Sequence, residues 1–221
     1  MSRITWDDVG ERRYETGVDR GVFYSTTELV GTYTLGPGCM FDSVFEEQPI
    51  GYPWNGIVSV DIQEEGLTST PIYFDGKKIM DVIVSGDFSA TLKAFTFPDE
   101  FIEFDGFSEL GNSIWADDQP RKTFGLSYRT MSGSDLSSNG PDTYKVHILY
   151  NLIAIPETIN YQTIDTNIEP IEFSWKLTSV PEVVSGIRPT AHIILDSTDI
   201  DSTTLQIIED ILYGTPDGGS V

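Results

Sequence analysis

Apolar and polar side chains alternate along much of this chain, which is typical of half-buried β-strands. The stretch IEFSWKL places Ile171, Phe173, Trp175 and Leu177 on one face, opposite a glutamate, a serine and a lysine. DFSATLKAF shows the same period, and YKVHILY shows it less strictly. Glycine, proline and asparagine interrupt such stretches about every ten residues, as between short strands. The pattern predicts a mainly β fold, an antiparallel β-sandwich or barrel.

One segment has the period of an amphipathic helix. Leucines and isoleucines recur on one stripe between about 202 and 213. Asp201 or Ser202 is suited to cap its first turn, and Gly214 is suited to end it. A single short helical turn is also predicted after Pro98. We therefore expect one C-terminal α-helix that flanks the β body.

Two long irregular stretches, 36–53 and 106–120, carry apolar side chains that are unusual in linkers. We interpret both as long loops that contact a partner. No composition shift marks a domain boundary, so we expect a single domain. Residues 1–24 are interpreted as its N-terminal arm, and residues 25–221 as the β-sandwich with the C-terminal helix.

The charge balance limits the classes of partner. The 221 residues carry 13 Lys and Arg against 35 Asp and Glu, a net charge of −22. Such acidity disfavours stable binding to nucleic acid or to an anionic membrane surface. The single Cys39 excludes an intramolecular disulfide and a cysteine-based zinc cluster. The first residues lack the apolar core of a secretory signal, so we expect a protein that stays in the cytoplasm.

Catalytic and metal-binding patterns are weak. His147 and His192 both lie in strand-like segments, where packed histidines are the ordinary case. Asp196, Asp199 and Asp201 faintly suggest a calcium loop, but the glycine and distal glutamate of an EF-hand are missing, and helix-cap acids explain them better. Neighbouring carboxylates could support glycoside hydrolysis, but in a chain with 35 acids some such pairs are inevitable, so they are weak evidence for a catalytic site. We expect no catalytic site, no metal site and no cofactor.

The densest basic stretch is GERRYETGVDRGVFY, residues 10–24. Arginine pairs with carboxylates, so we expect this arm to bind acids of a neighbouring subunit, although a solvated arm is the alternative. Tryptophan, tyrosine and arginine are common anchors at subunit contacts. The candidate interface residues are Arg12, Arg13, Tyr14, Arg20, Tyr24, Phe41, Phe45, Trp54 and Trp115. The same aromatic residues also permit a sugar-binding platform.

Several stretches, in order over nearly the whole chain, resemble the major tail tube protein of phages with long, non-contractile tails. They are WDDVGERRYETGVDRGVFY, GYPWNGIVSVDIQEEG, TPIYFDGKKIMDVIVSGDFSATLKAFTFPDEF, RKTFGLSYRT, YKVHILYNLIAIPE, YQTIDTNIEPIEFSWKLTSVPE and RPTAHIILDST with LQIIEDILYGT. The chain departs from that family in the 36–50 loop and after the predicted helix.

The resemblance implies a virion protein, made in the host cytoplasm, that polymerises as stacked hexameric rings into a tail tube. Such a tube is the conduit for DNA ejection, and double-stranded DNA passes through it without stable binding. The implied partners are further copies, the tape-measure protein, the tail terminator and the distal tail or baseplate proteins. The acidic composition agrees with passage of DNA, because attraction would retain it. The alternatives are a non-catalytic carbohydrate-binding β-sandwich, as a virion decoration or receptor-binding protein, and a weak glycoside hydrolase.

Overall fold

The computed structural model describes residues 12–25, 51–65, 68–84, 87–136, 140–163, 170–181 and 189–214. Within these residues the chain forms twelve β-strands, a short 3₁₀ turn at Asp99–Phe101 and an α-helix. The elements are β1 (Arg13–Tyr24), β2 (Gly51–Pro53), β3 (Ile57–Glu65), β4 (Thr68–Phe74), β5 (Lys77–Val84), β6 (Asp87–Ala94), β7 (Ser108–Gly111), β8 (Ile114–Ala116), β9 (Phe124–Ser134), β10 (Thr143–Pro156), β11 (Phe173–Ser179), β12 (His192–Asp196) and α1 (Ser202–Tyr213).

Eight of these strands form one antiparallel sheet. Its order is β2-β1-β9-β10-β11-β6-β3, with β12 paired to β10 as well. The two ends of this order, β2 and β3, are joined by residues 54–56, so the sheet must curl. Hydrogen bonds at that connection fix the curl, from Trp54 N to the Gly21 carbonyl at 2.8 Å and from Phe95 N to the Gly56 carbonyl at 2.9 Å. The mainly β, antiparallel prediction is confirmed, although the sheet does not close into a barrel.

Strand β10 changes its neighbour along its length. Residues 145–149 pair with β12, whereas residues 152–156 pair with β11. Asn151 lies between the two sections with φ +55°, and the register with β9 shifts there. Asparagine tolerates this left-handed conformation better than most residues. One strand thereby contributes to two parts of the sheet.

The concave side of the sheet encloses an aromatic core. Phe101, placed by the 3₁₀ turn, has its ring centre 4.6 Å from that of Trp54, 5.3 Å from Phe124 and 5.5 Å from Trp175. Phe23 packs edge-on against Phe101 at 5.4 Å. All five residues are at most 2% exposed. Edge-to-face packing of this kind stabilises a core beyond the area that it buries.

A second cluster lies where α1 covers the opposite side of the sheet. Val146, Ile148 and Tyr150, alternate residues of β10, pack with Tyr24 and Leu212. The Asp201 carboxylate accepts hydrogen bonds from the N–H groups of Thr203 and Thr204, and so caps the helix. The helix ends at Gly214, which has φ +82°. The predicted helix, its cap and its buried stripe are confirmed.

Two small hairpins stand apart from the main sheet, β4–β5 and β7–β8. The second falls within 106–120, which was predicted to be an irregular loop, so that prediction is wrong in part. Residues 13–24 of the predicted arm form β1, which pairs with β9 and β2 inside the main sheet. The companion loop 36–53 lies mostly outside the described residues. No helix among the described residues is long and apolar enough to cross a membrane.

Candidate functional site

The β4–β5 hairpin forms a two-stranded ribbon, and we use "ribbon" for residues 68–84. Its turn is the dipeptide Asp75-Gly76, with φ +48° and +73°. Positive φ at both positions is what a two-residue hairpin turn requires, and Asp-Gly is among the best sequences for it. Phe74 and Lys77 are paired on either side of the turn. The local sequence therefore explains why the ribbon forms.

The ribbon exposes an unusual amount of apolar surface. Tyr73 is 60% exposed, Phe74 63%, Ile79 56% and Met80 52%. Among the described strands, β4 and β5 pair only with each other. An isolated two-stranded hairpin is at best marginally stable in water, and contiguous exposed apolar groups mark contact sites. The ribbon is therefore a candidate contact surface.

The ribbon has no net charge on a strongly acidic chain, since Lys77 and Lys78 balance Asp75 and Asp81. Lys77 and Lys78 follow the turn directly. The Lys78 ammonium lies 2.7 Å from the Asp81 carboxylate, and both side chains are largely exposed. Such exposed pairs contribute little to stability, and this one offsets the charge of Lys78. Two adjacent lysines make the ribbon tip one of the less acidic regions of the chain.

The β7–β8 hairpin exposes a second apolar group. Leu110 is 73% exposed, Ile114 59% and Trp115 37%. Its turn residues Asn112 and Ser113 have φ +53° and +60°. The Glu109 carboxylate accepts a hydrogen bond from Ser113 N at 2.9 Å, which holds the turn. Acidic residues flank this apolar group: Glu109, Asp117 and Asp118.

The predicted arginines of β1 are exposed but do not form one patch. Arg12, Arg13, Tyr14 and Arg20 all face solvent. Arg13 and Arg20 are seven strand residues apart, a separation of roughly 20 Å. Arg20 lies at an irregularity in the β1–β9 register and has φ +49°. The arginines therefore offer two separate contact points, one at each end of β1.

Two predicted interface aromatics are core residues instead. Tyr24 and Trp54 are each 2% exposed. Tyr24 donates its hydroxyl hydrogen to the Leu212 carbonyl at 2.9 Å, and Trp54 Nε1 donates to the Thr96 carbonyl at 2.8 Å. Both side chains are therefore occupied within their own subunit, because the curl of the sheet brings these strands over the core. Phe41 and Phe45 lie outside the described residues, and Trp115 is exposed on β7–β8.

A polar cavity of about 520 Å³ lies beside the first residues of β1. Tyr14 lies directly over Gly133, where a Cβ atom would come within 2.7 Å of the Tyr14 hydroxyl oxygen. Lys145 forms an ion pair with Glu15 and lies 4.0 Å from Asp196. The nearby Thr198 hydroxyl and N–H, both donors, lower the pKa of Asp196. The cavity thus combines an open aromatic ring with mutually compensating charges, which suits a neutral polar ligand better than an ion.

The two histidines are packed together inside the sheet. His147 Nδ1 and His192 Nε2 are 3.0 Å apart, and the His147 ring stacks on Tyr128 at 4.7 Å. Burial lowers the pKa of both imidazoles, that of His192 to about 4. In the described part of the chain, no group of three or more His, Cys, Asp or Glu side chains is arranged to hold a metal ion. The histidine pair links β10 to β12 through its side chains.

Among the acids of the described segments, Asp105 has the pKa that is shifted furthest from its ordinary value. Burial raises its pKa to about 6, although the hydrogen bond from Trp175 Nε1 at 2.9 Å and the positive charge of Arg121 act in the opposite direction. The group lies against the aromatic core and anchors Trp175. The negative charge of Asp117 adds to the rise in pKa, and the hydrogen bond that Asp105 accepts from Trp175 orients that core side chain.

Sequence reasoning missed the exposed apolar residues of the ribbon, Tyr73, Phe74, Ile79 and Met80. A signal was present, because two consecutive apolar residues stand next to an Asp-Gly turn, and two more follow the lysines. Consecutive apolar residues in a strand point to opposite faces. A short hairpin that is apolar on both faces cannot bury both against one body.

Comparison with known proteins assigns this chain to no family. No protein-family profile and no curated protein sequence matches the chain. A solved structure of the anti-feeding prophage baseplate, 6-fold symmetrised, is similar over 87% of this chain and 97% of that chain, with 11% sequence identity and a TM-score of 0.34. At this level of similarity we infer neither fold nor function from it.

Proposed function

We propose that this chain is a structural subunit that associates with further copies of itself, and that it builds the tail tube of a phage with a long, non-contractile tail. The observation that carries the proposal is the ribbon, whose four large apolar side chains are each more than half exposed. In an assembly this apolar surface would be buried against a neighbouring subunit, whereas on a monomer in solution it would promote aggregation.

The net charge of −22 supports the same function. Equal charges keep free subunits apart at long range, and short-range apolar contacts hold them together once they meet. In a tube of stacked hexameric rings, an acidic bore would let double-stranded DNA pass without retention. The tape-measure protein would lie in the bore, and the tail terminator and the distal tail or baseplate proteins would bind the two ends.

The exposed arginines of β1 add polar contacts to this assembly. Arg12 and Arg13 at one end of the strand, and Arg20 at the other, would pair with carboxylates of neighbouring copies. Partly desolvated arginine–carboxylate pairs fix the orientation of an interface more than they strengthen it. Reversal of Arg12 and Arg13 to glutamate is expected to leave the subunit folded and to weaken polymerisation.

The test is sedimentation velocity and negative-stain microscopy on concentrated protein. We expect rings or tubes from the parent chain, and monomers from a Tyr73→Ser/Phe74→Ser variant with an unchanged circular dichroism spectrum. A Tyr161→Ser/Val180→Ser variant is the matched control, because these two residues are 75% and 68% exposed outside the ribbon. A parent chain that stays monomeric at high concentration, with and without a tail initiator protein, would contradict the proposal.

A second candidate function is carbohydrate binding without catalysis, in a virion decoration or receptor-binding protein. The cavity beside Tyr14 favours it, because an open aromatic ring bordered by hydroxyl and carboxylate groups suits a sugar. Saturation-transfer NMR with glucose, galactose and N-acetylglucosamine oligosaccharides tests it. Signals that disappear in Tyr14→Ala, from a protein that does not polymerise, would favour this function over the first.

A further inference from the structure

We propose that the ribbon of one copy docks on the β7–β8 hairpin of a second copy. The inference rests on the proposed self-association and names the two surfaces that meet. Within one chain each hairpin pairs only with itself among the described strands. Each also leaves large apolar side chains exposed.

The apolar parts of the two surfaces match in size and kind. The ribbon offers Tyr73 and Phe74 next to its turn, and Ile79 and Met80 on the returning strand. The β7–β8 hairpin offers Leu110, Ile114 and Trp115. Aromatic residues and methionine are the side chains enriched at the centres of protein interfaces. Burial of one group against the other removes the largest exposed apolar groups of both hairpins from water.

The charges around the apolar parts favour this contact over one between two acidic surfaces. The ribbon tip presents Lys77 and Lys78. Segment 99–122, which includes the β7–β8 hairpin, has seven carboxylates and only two basic residues. One of those bases, Lys122, is already paired with Glu103 at 2.8 Å. In the ribbon, Lys78 is likewise paired with Asp81 at 2.7 Å, and the two lysines balance Asp75 and Asp81. On a chain with 35 acids, an acidic hairpin would therefore be repelled less by this neutral ribbon, with Lys77 beside its turn, than by an acidic surface of a second copy.

The two surfaces are different, so the contact is of the head-to-tail type. In such a contact each copy uses its ribbon on one neighbour and its β7–β8 hairpin on another, which generates a closed ring or an open filament. A symmetric dimer would require each copy to use both surfaces on the same partner. The contact therefore explains how a single pair of hairpins supports indefinite assembly.

Two charge-reversed variants test the docking. One is Lys77→Glu/Lys78→Glu on the ribbon, and the other is Asp117→Lys/Asp118→Lys, at two exposed acids directly after β8 that leave Glu109 in place to hold the turn. A Lys93→Glu/Lys176→Glu variant on the main sheet is the control for the ribbon variant, since both lower the net charge by the same amount. An Asp61→Lys/Asp87→Lys variant on the main sheet is the control for the hairpin variant, which raises the net charge. We expect each test variant alone to raise the concentration needed for assembly by about tenfold or more, and each control to raise it much less.

Mixing the two test variants gives the decisive result. A glutamate-tipped ribbon from one variant meets a lysine-bearing hairpin from the other, while the unchanged ribbon and hairpin also meet, so the equimolar mixture should assemble in alternation. Recovery in the mixture, by sedimentation and microscopy, is the expected outcome. If the parent chain assembles and the mixture does not, or if either test variant assembles like its control, the docking is wrong while self-association stands. A parent chain that never assembles overturns both.

Discussion

The hydroxyl of Tyr24 donates a hydrogen bond to the backbone carbonyl of Leu212 across 188 positions of sequence, at 2.9 Å. The same hydroxyl lies 2.9 Å from the Ser127 hydroxyl. Burial raises the pKa of Tyr24 well above its ordinary value. The hydroxyl is therefore neutral at any ordinary pH, and it ties the last turn of α1 to β1 and β9.

Removal of that hydroxyl should destabilise the subunit. In Tyr24→Phe the Ser127 hydroxyl and the Leu212 carbonyl lose a buried partner, so we expect the free energy of unfolding to fall by about 1–3 kcal/mol. Urea denaturation followed by circular dichroism measures this. Tyr161→Phe is the control, because Tyr161 is 75% exposed and its hydroxyl can turn to water. Equal stabilities of the two variants would contradict the role of Tyr24.

The pair between Asp19 and Arg129 should matter more than exposed ion pairs do. Arg129 is 7% exposed, and its Nε and Nη2 donate to the two oxygens of Asp19 at 3.0 and 2.8 Å. Asp19→Ala leaves a nearly buried guanidinium without its carboxylate, and we expect a loss of about 1–3 kcal/mol in unfolding free energy.

The matched control for that prediction is Glu172→Ala, which breaks the exposed pair with Lys93 at 3.6 Å. This variant should lose less than about 1 kcal/mol. Thermal and urea unfolding of both proteins in low and high salt completes the comparison. A large effect at Glu172 together with none at Asp19 would show that burial does not set the strength of these pairs.

Asp105 should make the subunit more stable at acid pH than at neutral pH. Its pKa in the folded state is about 6, above the ordinary value of 3.8, so the folded state binds a proton more tightly. Its contribution to stability is fully present below pH 3.8 and is lost as pH rises through about 6. Asp105→Asn keeps an acceptor for Trp175 and cannot ionise. We expect its stability, relative to the parent, to increase from pH 4 to pH 8 in urea titrations.

The histidine pair should make the subunit less stable as the pH falls. The folded-state pKa of His192 is about 4, below the ordinary value of 6.5, because the imidazole is buried beside His147. The unfolded chain therefore takes up the proton first, and stability is lost as pH falls from 6.5 to 4. His192→Gln should flatten this loss, and a variant with the parent's slope would contradict it. His147→Gln is the companion variant, since burial also lowers the pKa of His147.

Strands and the helix could be predicted where one face meets the core and the other meets water. The stripe that includes Leu205 and Leu212, and the alternation through Trp175 and Leu177, both follow from local period alone. The β9–β10 hairpin also agrees with its sequence pattern. The hydrophobic period and the turn residues of these elements are visible in the sequence, and only the structure shows which strands pair with one another.

The sequence-based predictions fail where the local pattern of apolar and polar residues does not determine secondary structure or burial. Strands β7 and β8 are four and three residues long, too short for a visible period, and their turn uses Asn112 and Ser113 in left-handed conformations. Tyr24 and Trp54 were assigned to an interface because nothing local indicates that the sheet curls and buries them. The Asp-Gly turn of the ribbon is visible in the sequence, but the exposure of its apolar side chains is not, since exposure is a property of the whole fold.

The pairing of β1 with β9 has a consequence for the order of folding during synthesis. Residues 13–24 pair with residues 124–134, whereas β2 pairs only with residues 22–24, so most of β1 has no strand partner in this sheet until the later segment has left the ribosome. At about 5–20 residues per second, the delay is on the order of ten seconds. Through that interval Phe23 and Tyr24 lack the core that later covers them, and the arginines and acids around them keep the nascent segment hydrated.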